Sequence, residues 1–342
     1  MTLVSVVVPM FNRAHLVGDA VRSILGQTWR ELEVVVVDDG STDDSVAVVE
    51  ELPDPRVRMV RLGTNCGIPH ARNTGMEAAQ GRYLAWLDSD DVARPTRIAE
   101  QVAFLDANPD VVLVGACAGK LSNDGRLKRG VRVPPLEHEV IAPWLLFRSA
   151  FQQSAVMGRA EALRGFPYKP HLPVCEDLDQ FQRIAAAGHR VANLRRVLVD
   201  RRVHGDQTIR RRQDAIKVMK MLLAPPMLER LGVRADADDV ARHVQLGNRK
   251  QASVPADRDY LRWAETWLLN LQAANARTRV YDPAGLATAS GWFWALACAD
   301  VARTVGRGRA VSVFLGSELA RGLATASGRR WLARALGVWA RR

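Results

Sequence analysis

Residues 82–91 read Arg-Tyr-Leu-Ala-Trp-Leu-Asp-Ser-Asp-Asp. The run Tyr83–Leu87 has the composition of a short buried strand, and it stops in three carboxylates, Asp88, Asp90 and Asp91. Three acids at a strand end repel one another unless a cation or hydrogen-bond donors compensate. Asp88 and Asp90 lie two apart, so extended backbone turns both to one side. That spacing suits a hard divalent cation, which takes oxygen ligands and keeps places for water or phosphate. An acidic turn capping the helix that begins near Pro95 would use the same residues, so the motif alone leaves both readings open. A second acidic pair, Glu176-Asp177, stands at the start of an apolar-periodic segment ending at Gly188, where a helix dipole favours negative charge.

The elements that must position these residues follow from periodicity. Residues 3–9 are continuous and β-branched and predict a buried parallel strand ended by Pro9. Helical spacing follows over 14–26, and a second buried strand over 33–37 breaks into Asp38-Asp39-Gly40-Ser41-Thr42-Asp43. A helix is expected over 43–52 with Thr42 or Asp43 as N-cap, a third strand over 57–62, and a helix over 67–80. After strand 83–87 come a helix over 95–107 and a strand at 111–114. Strands alternating with helices at this spacing indicate an α/β domain with a mostly parallel sheet. Residues 120–175 are less regular and predict loops with an antiparallel excursion. A helix over 177–187 and a strand over 190–199 close the first part. Beyond 213 the pattern is helical, interrupted near Pro225-Pro226, 251–257 and 282–285.

In an open parallel sheet, ligands bind beyond the carboxyl ends of the strands. Polar clusters sit at each of those ends: Pro9-Met10-Phe11-Asn12, Asp38-Asp39-Gly40-Ser41, Asn65-Cys66-Gly67 leading to Arg72-Asn73-Thr74-Gly75, and Asp88-Ser89-Asp90-Asp91. A dinucleotide fold would open its first strand onto Gly-x-Gly-x-x-Gly, and here no glycine comes before Gly18. No P-loop sequence occurs either. The usual phosphate cradles are missing while carboxylates are abundant, a combination explained by a metal that neutralises a diphosphate.

These motifs, Val6–Asn12, Val37–Asp43, Asn65–Gly67 with Ala71–Gly75, Leu87–Asp91 and Glu176–Gly188, resemble the family 2 glycosyltransferases of the GT-A fold. The resemblance covers residues 3 to about 208. It implies a GT-A domain (Rossmann-like, a mostly parallel sheet flanked by helices). The implied activity is inverting sugar transfer from a nucleotide-sugar donor, commonly UDP-linked, with Mn²⁺ or Mg²⁺. Carried onto this sequence, it makes Asp90 the main metal ligand, with His204 a further metal or diphosphate contact. Pro9 and Phe11 become walls of the base pocket. Asn12 and Ser89 fall within the nucleotide-binding motifs. Asp39 becomes the acceptor for the base's ring N–H, Arg72 a contact to diphosphate or base, and Asp88 a contact to ribose or sugar. Asp177 becomes the base that deprotonates the acceptor, with Glu176 as its rival. Arg201 and Arg202 could close over the phosphates or lie on the surface.

The chain has 342 residues and a formal charge of +11. Residues 1–205 carry 25 Lys/Arg and 25 Asp/Glu, whereas 206–342 carry 23 and 12. The asymmetry suggests a boundary, placing a catalytic domain at 1–208 and a basic, mainly helical region at 209–342. Trp263, Trp267, Trp292, Trp294, Trp331 and Trp339 would supply helical core. Near the end, Arg330, Arg334 and Arg341 could share a helix face opposite Trp331, Leu332, Ala335 and Trp339. Such a helix serves as a cap or homo-oligomer face, or attaches to anionic membrane. No apolar run reaches a membrane span, no signal peptide is read at the start, and four scattered cysteines predict reduced thiols. The expected location is therefore cytoplasmic, with peripheral contact at the inner face of the membrane open. The acceptor class stays open as well: glycan, lipid-linked sugar, small molecule or peptide. Three alternatives compete. A nucleotidyltransferase would want a Gly-rich basic loop after strand one, which is absent. A nucleic-acid-binding protein would use the +11 charge, but that charge lies outside the motifs and no nucleic-acid motif appears, so no nucleic-acid partner is expected. A nucleotide-sugar-binding module without activity would not need the intact acids.

Overall fold

The computed structural model describes residues 2–203, 212–248, 254–324 and 328–329. The chain forms two compact units, one of residues 1–137 and 150–211, the other of 138–149 and 212–342.

The first unit is built on a nine-stranded sheet. In chain order its elements are β1 (Val4–Met10), α1 (Val17–Leu25), β2 (Leu32–Asp38), α2 (Ser45–Glu50), β3 (Val57–Arg61), α3 (Ile68–Ala78), β4 (Tyr83–Trp86), β5 (Val92–Ala93), α4 (Arg97–Ala107), β6 (Val111–Ser122) and β7 (Leu127–Arg132). After α5 (His138–Trp144), which belongs to the second unit, come β8 (Met157–Arg159), α6 (Ala160–Arg164), α7 (Glu176–Ala186) and β9 (Arg190–Val203). The strand order is β3-β2-β1-β4-β8-β6-β9-β5, with β7 beside β6. The β3-β2-β1-β4 half is parallel, β8 runs antiparallel to β4 and β6, and β6 runs parallel to β9.

The unbroken β-branched runs of β1 and β2 are apolar because both faces of these strands are covered. Val4, Val6, Val8, Val34 and Val36 pack with Val17, Val21 and Ile24 of α1 and Ile98, Val102 and Leu105 of α4 in one buried cluster. On the opposite face α3 lies so close that a Cβ on Gly75 would sit 2.2 Å from Val7 and 3.2 Å from Val37. That contact explains the glycine in the Arg72–Gly75 motif.

Several boundaries differ from the sequence expectation, each for a visible reason. β1 runs one residue past Pro9. The pairing of β1 with β4 ends at Val7↔Trp86, while its pairing with β2 continues to Met10↔Asp38. The Val7 carbonyl accepts from Leu87 on the β4 side, and Pro9 lies on that same side beyond the last pair, so no N–H is needed there. α2 starts at Ser45 with Asp44 at its N-cap, while Asp43 holds the Ser45 N–H at 3.0 Å. β6 extends to Ser122 and β9 to Val203 because the two strands pair with each other from Val111↔Arg190 to Ser122↔Val203. Residues 120–175 contain the β6–β7 hairpin, α5, β8 and α6.

The second unit is helical, with helices at Gln213–Arg230, Ala237–Gly247, Arg258–Thr278, Pro283–Val305 and Arg307–Gly316 joined by α5. Residues 138–149, which the sequence reading left in the first domain, bury Ile141, Trp144, Leu145 and Phe147. Trp144 stacks on Trp292 and Phe147 on Phe293. Trp267, Trp292 and Trp294 are buried. Pro225 and Pro226 lie inside a continuous helix and not in the loop their type suggests. The segment near 282 is a helix start, with the Asp282 side chain accepting from the Gly285 N–H. Among the described residues no helix is long and apolar enough to cross a membrane. The four cysteines are free thiols.

Candidate active site

β1, β2, β3 and β4 run parallel, so their carboxyl ends share one edge, and the loops after them are laced together there. After β1, Asn12 adopts the left-handed region (φ 51°). Its N–H donates to Ser41 Oγ at 3.0 Å, and its Oδ1 accepts from the Thr42 N–H at 2.8 Å. The Arg13 N–H donates to Ser45 Oγ at 2.6 Å. These bonds tie the β1 loop to the β2 loop. Gly40, at φ 74°, allows that second loop to press on the third: a Cβ there would lie 2.6 Å from Thr64. Phe11 is 38% exposed, so it is not core packing but an aromatic surface at the strand ends. Pro9 is buried in β1.

Asp39 is buried, and its carboxylate accepts the Cys66 N–H at 2.7 Å and the Gly67 N–H at 2.9 Å, just before α3. Gly67, at φ 91°, supplies the backbone turn into that helix. One turn along α3, Arg72 is almost fully enclosed. Its Nη1 donates to Glu176 Oε1, its Nη2 donates to Asp88 Oδ1 at 3.1 Å, and its guanidinium lies 5.4 Å from the centre of the Tyr168 ring. Among the described residues the Nε of Arg72 has no hydrogen-bond partner. Its neighbour Asn73 fixes Tyr168 by a reciprocal pair with that residue's backbone, both bonds 2.8 Å. The Tyr168 hydroxyl accepts from Gln153 at 2.7 Å, and the ring meets Trp86 edge-on. Arg72 is thus held from below by an aromatic floor and spans the distance between the acidic loop and the start of α7.

In the acidic loop, carboxylate oxygens of Asp88, Asp90 and Asp91 all lie within 4.8 Å of one another. Asp91 is buried. Its oxygens accept from Ser154 Oγ at 2.5 Å and from the Arg202 N–H at 2.9 Å. Burial, together with the charges of Asp90 and Asp88, pushes the Asp91 carboxyl well above the usual range. Ser154 Oγ is also 3.0 Å from Asp88 Oδ2. Ser89 is buried at the turn. Beneath the loop, Arg97 is fully buried, with Nη2 donating to the Trp86 carbonyl at 2.8 Å and Nε to Gln101 at 3.1 Å. Burial lowers its guanidinium to about 9, against the pull of Asp91 and Asp88.

Arg202 does not reach over a ligand as the sequence reading allowed. It is buried and committed to the loop: Nε donates to the Asp90 carbonyl at 3.1 Å, Nη1 to the Asn123 carbonyl at 3.0 Å and Nη2 to Asp19 at 3.2 Å. His204 lies outside the described residues, as do Trp331, Trp339, Arg330, Arg334 and Arg341.

The acidic pair at α7 divides sharply by environment. Cys175, in the left-handed region (φ 62°), is the N-cap, so neither acid is the cap. Glu176 is buried against Arg72. Burial raises its carboxyl to about 7; Arg72 opposes that rise, and the Asp177 and Asp88 charges reinforce it. Asp177 is partly exposed, and among the described residues its carboxylate accepts only the adjacent Leu178 N–H, at 2.7 Å. Ser154, Gln153 and Tyr168 come from a stretch with no periodic or motif signal, so nothing in the sequence singled them out.

The donor set fits a hard cation. It consists of oxygen only, clustered closely, with Asp91 buried and held by Ser154 and Arg202, and Asp88 and Asp90 partly exposed. Acidic loops at the carboxyl edge of the sheet, bridged by an enclosed arginine to a second acidic pair, make this the ligand-binding edge of an open α/β domain.

The family "Glycosyl transferase family 2" matches residues 5–165. The amylovoran biosynthesis glycosyltransferase AmsE of Erwinia amylovora is 30% identical over 218 residues, 61% of this chain and 79% of that protein. The Escherichia coli UDP-Glc:alpha-D-GlcNAc-diphosphoundecaprenol beta-1,3-glucosyltransferase WfaP is 35% identical over 106 residues, 31% of this chain; the chain spans 42% of WfaP's length. Among solved structures, S. aureus TarS 1–349 in complex with UDP-GlcNAc aligns with a TM-score of 0.57 and 18% identity, covering 90% of this chain and 88% of that one. The chain belongs to the family 2 glycosyltransferases, and its first unit has their GT-A fold.

Proposed function

We propose that this glycosyltransferase moves a sugar from a UDP-linked donor to an acceptor hydroxyl with inversion at the anomeric carbon, assisted by Mn²⁺ or Mg²⁺. The observation that carries the reading is the bridge through Arg72, which joins the acidic loop to the Glu176-Asp177 pair across one edge of the sheet. The base lies between Phe11 and Pro9, and its ring N–H meets Asp39, whose oxygens each retain a lone pair after accepting Cys66 and Gly67. UDP as the nucleotide draws on WfaP, named for UDP-Glc, and on TarS, whose structure holds UDP-GlcNAc.

Asp90, with Asp88 and Asp91 beside it, would hold the cation, which supplies Lewis acidity to the departing diphosphate. Arg72 directs a fixed positive charge to the same place. Asp177 takes the proton from the acceptor hydroxyl as its oxygen bonds to the anomeric carbon and the bond to the diphosphate breaks. Glu176 holds Arg72 in position and is not the base, because its carboxylate is enclosed and engaged. His204 remains a candidate contact to the metal or diphosphate.

Isothermal titration with UDP, GDP and ADP, each with and without Mn²⁺, tests this. Tight binding of UDP that needs Mn²⁺ and is lost in Asp90→Ala is expected. Equal affinity for the three nucleotides, or UDP affinity indifferent to both Mn²⁺ and Asp90→Ala, would overturn the reading.

A further inference from the structure

The β6–β7 hairpin presents a surface that sugar transfer does not use. Residues 123–131 are all exposed. β7 pairs only with β6, so among the described residues its outer edge has no strand partner. Cross-strand register sorts its side chains. Leu121 pairs with Leu127, and a register shift beyond Lys120 then brings Ala118 opposite Arg132, so Arg129, Gly130 and Val131 span a bulge in β7. Leu127 is 67% and Val131 51% exposed. The other face sets Lys120 directly opposite Lys128, a like-charge pair that destabilises a sheet unless an anion lies between or over the two. Lys120, Lys128 and Arg129 make no ion pair among the described residues, and Asp124, the hairpin's single acid, is 3.6 Å from Arg126.

Charges alone have a simple explanation on an edge strand, since lysines there deter pairing with another chain. That explanation does not account for two large apolar side chains held in water among the cations. Both features are met together by a surface that is anionic outside and apolar beneath. Position adds to the case. The hairpin turn reaches the acidic loop through one side chain, with Asn123 O accepting from Arg202, whose Nε and N–H hold Asp90 and Asp91.

We infer that the β6–β7 hairpin seats the enzyme on an anionic lipid bilayer. Leu127 and Val131 enter the boundary between headgroups and acyl chains, and Lys120, Arg126, Lys128 and Arg129 meet lipid phosphates, which sets the sugar-transfer site beside the membrane plane. A soluble polyanion would neutralise the cations but leave Leu127 and Val131 wet.

Cosedimentation of the full chain with vesicles of phosphatidylcholine containing about one third phosphatidylglycerol, against pure phosphatidylcholine, tests the inference. Each basic side chain near such a surface is worth about fivefold in partition. Lys128→Ala/Arg129→Ala should therefore weaken binding about 25-fold, and added salt should weaken the wild type in the same direction. Leu127→Ser/Val131→Ser should weaken binding about tenfold without changing its salt dependence. UDP binding with Mn²⁺, read on the same samples, should be unchanged in both variants; it tests the donor site separately, because the hairpin argument rests on the surface alone. Wild-type binding that ignores phosphatidylglycerol, or variants that bind vesicles as the wild type does, would overturn the proposal. So would Leu127→Ser/Val131→Ser binding unchanged while Lys128→Ala/Arg129→Ala loses inorganic polyphosphate, which would make the hairpin a polyanion site.

Discussion

Removing the Arg72 charge should affect stability and donor binding by separate routes, and a double-mutant cycle can tell them apart. The Arg72 and Glu176 side chains are 5% and 9% exposed, so truncating either one strands the other in low dielectric. Arg72→Met should cost roughly 3–5 kcal/mol of stability, the usual effect of breaking a buried pair. The second partner, Asp88, has a side chain 31% exposed; solvent screens it, and its share should be a few tenths of a kcal/mol. Glu176→Gln keeps an acceptor for Nη1 but removes the charge, at about 2 kcal/mol. With both changes neither charge is left alone, so the double variant should be more stable than the sum of the singles predicts by about 2 kcal/mol. Urea unfolding followed by tryptophan fluorescence reads this directly, because Trp86 touches Tyr168 beneath the pair. UDP affinity should behave differently: lost in Arg72→Met, and not recovered in the double variant. Additive energies within about 0.5 kcal/mol would refute the claim that Glu176 holds Arg72, and donor binding restored along with stability would remove Arg72 from the diphosphate.

Three further outcomes are expected. Asp177→Asn should retain UDP binding in the presence of Mn²⁺ and lose at least about a hundredfold in kcat, the scale of a general base; turnover near wild type, measured by release of UDP, would place the base elsewhere. In the helical unit, Trp267 Nε1 donates to His243 Nδ1 at 3.0 Å, so the ring proton must sit on Nε2, which faces the Leu146 carbonyl at 2.9 Å. Burial lowers this imidazole to about 4; the unfolded chain therefore takes up the proton first, and about 3 kcal/mol of stability, complete above pH ~6.5, is lost as the pH falls towards ~4. His243→Gln should flatten that dependence in urea melts, and an equal slope in the variant would disprove the assignment. Gly75→Ala should destabilise the first unit by at least about 2 kcal/mol, since its methyl would meet Val7; a melting temperature like that of the wild type would show that α3 can move away.

The strands were readable from sequence because burial on both faces leaves a plain β-branched run, as in Val4–Val8 and Val34–Val37. Their ends were readable because each gives way to polar loops. What escaped depends on partners remote in the chain. The length of β6 and β9 comes from pairing with each other, and no local pattern in either strand reports the other. Pro225 and Pro226 read as breakers, yet they sit within a helix. The segment 138–149 carries no compositional mark that it packs with helices from beyond 212. At the candidate site, the acids and Arg72 stood in motifs. Tyr168, Ser154 and Gln153 stood in none, because the reason for their presence is an arginine or a carboxylate brought near only by folding. Arg202 showed the reverse: its sequence context suggested a phosphate contact, while the fold spends every nitrogen of its guanidinium on protein oxygens.

The reach of Arg202 has a further consequence for how this enzyme can be cut or made. The portion matched by the family ends at residue 165, but the side chain that clasps Asp90, Asn123 and Asp19 arrives 37 residues later, on the strand that also completes the sheet beside β6. A fragment stopping at the family boundary would carry all three loop aspartates and still lack the clasp that shapes them. During synthesis the acidic loop likewise stays unfinished until β9 has left the ribosome, so this carboxylate cluster is among the last parts of the unit to mature.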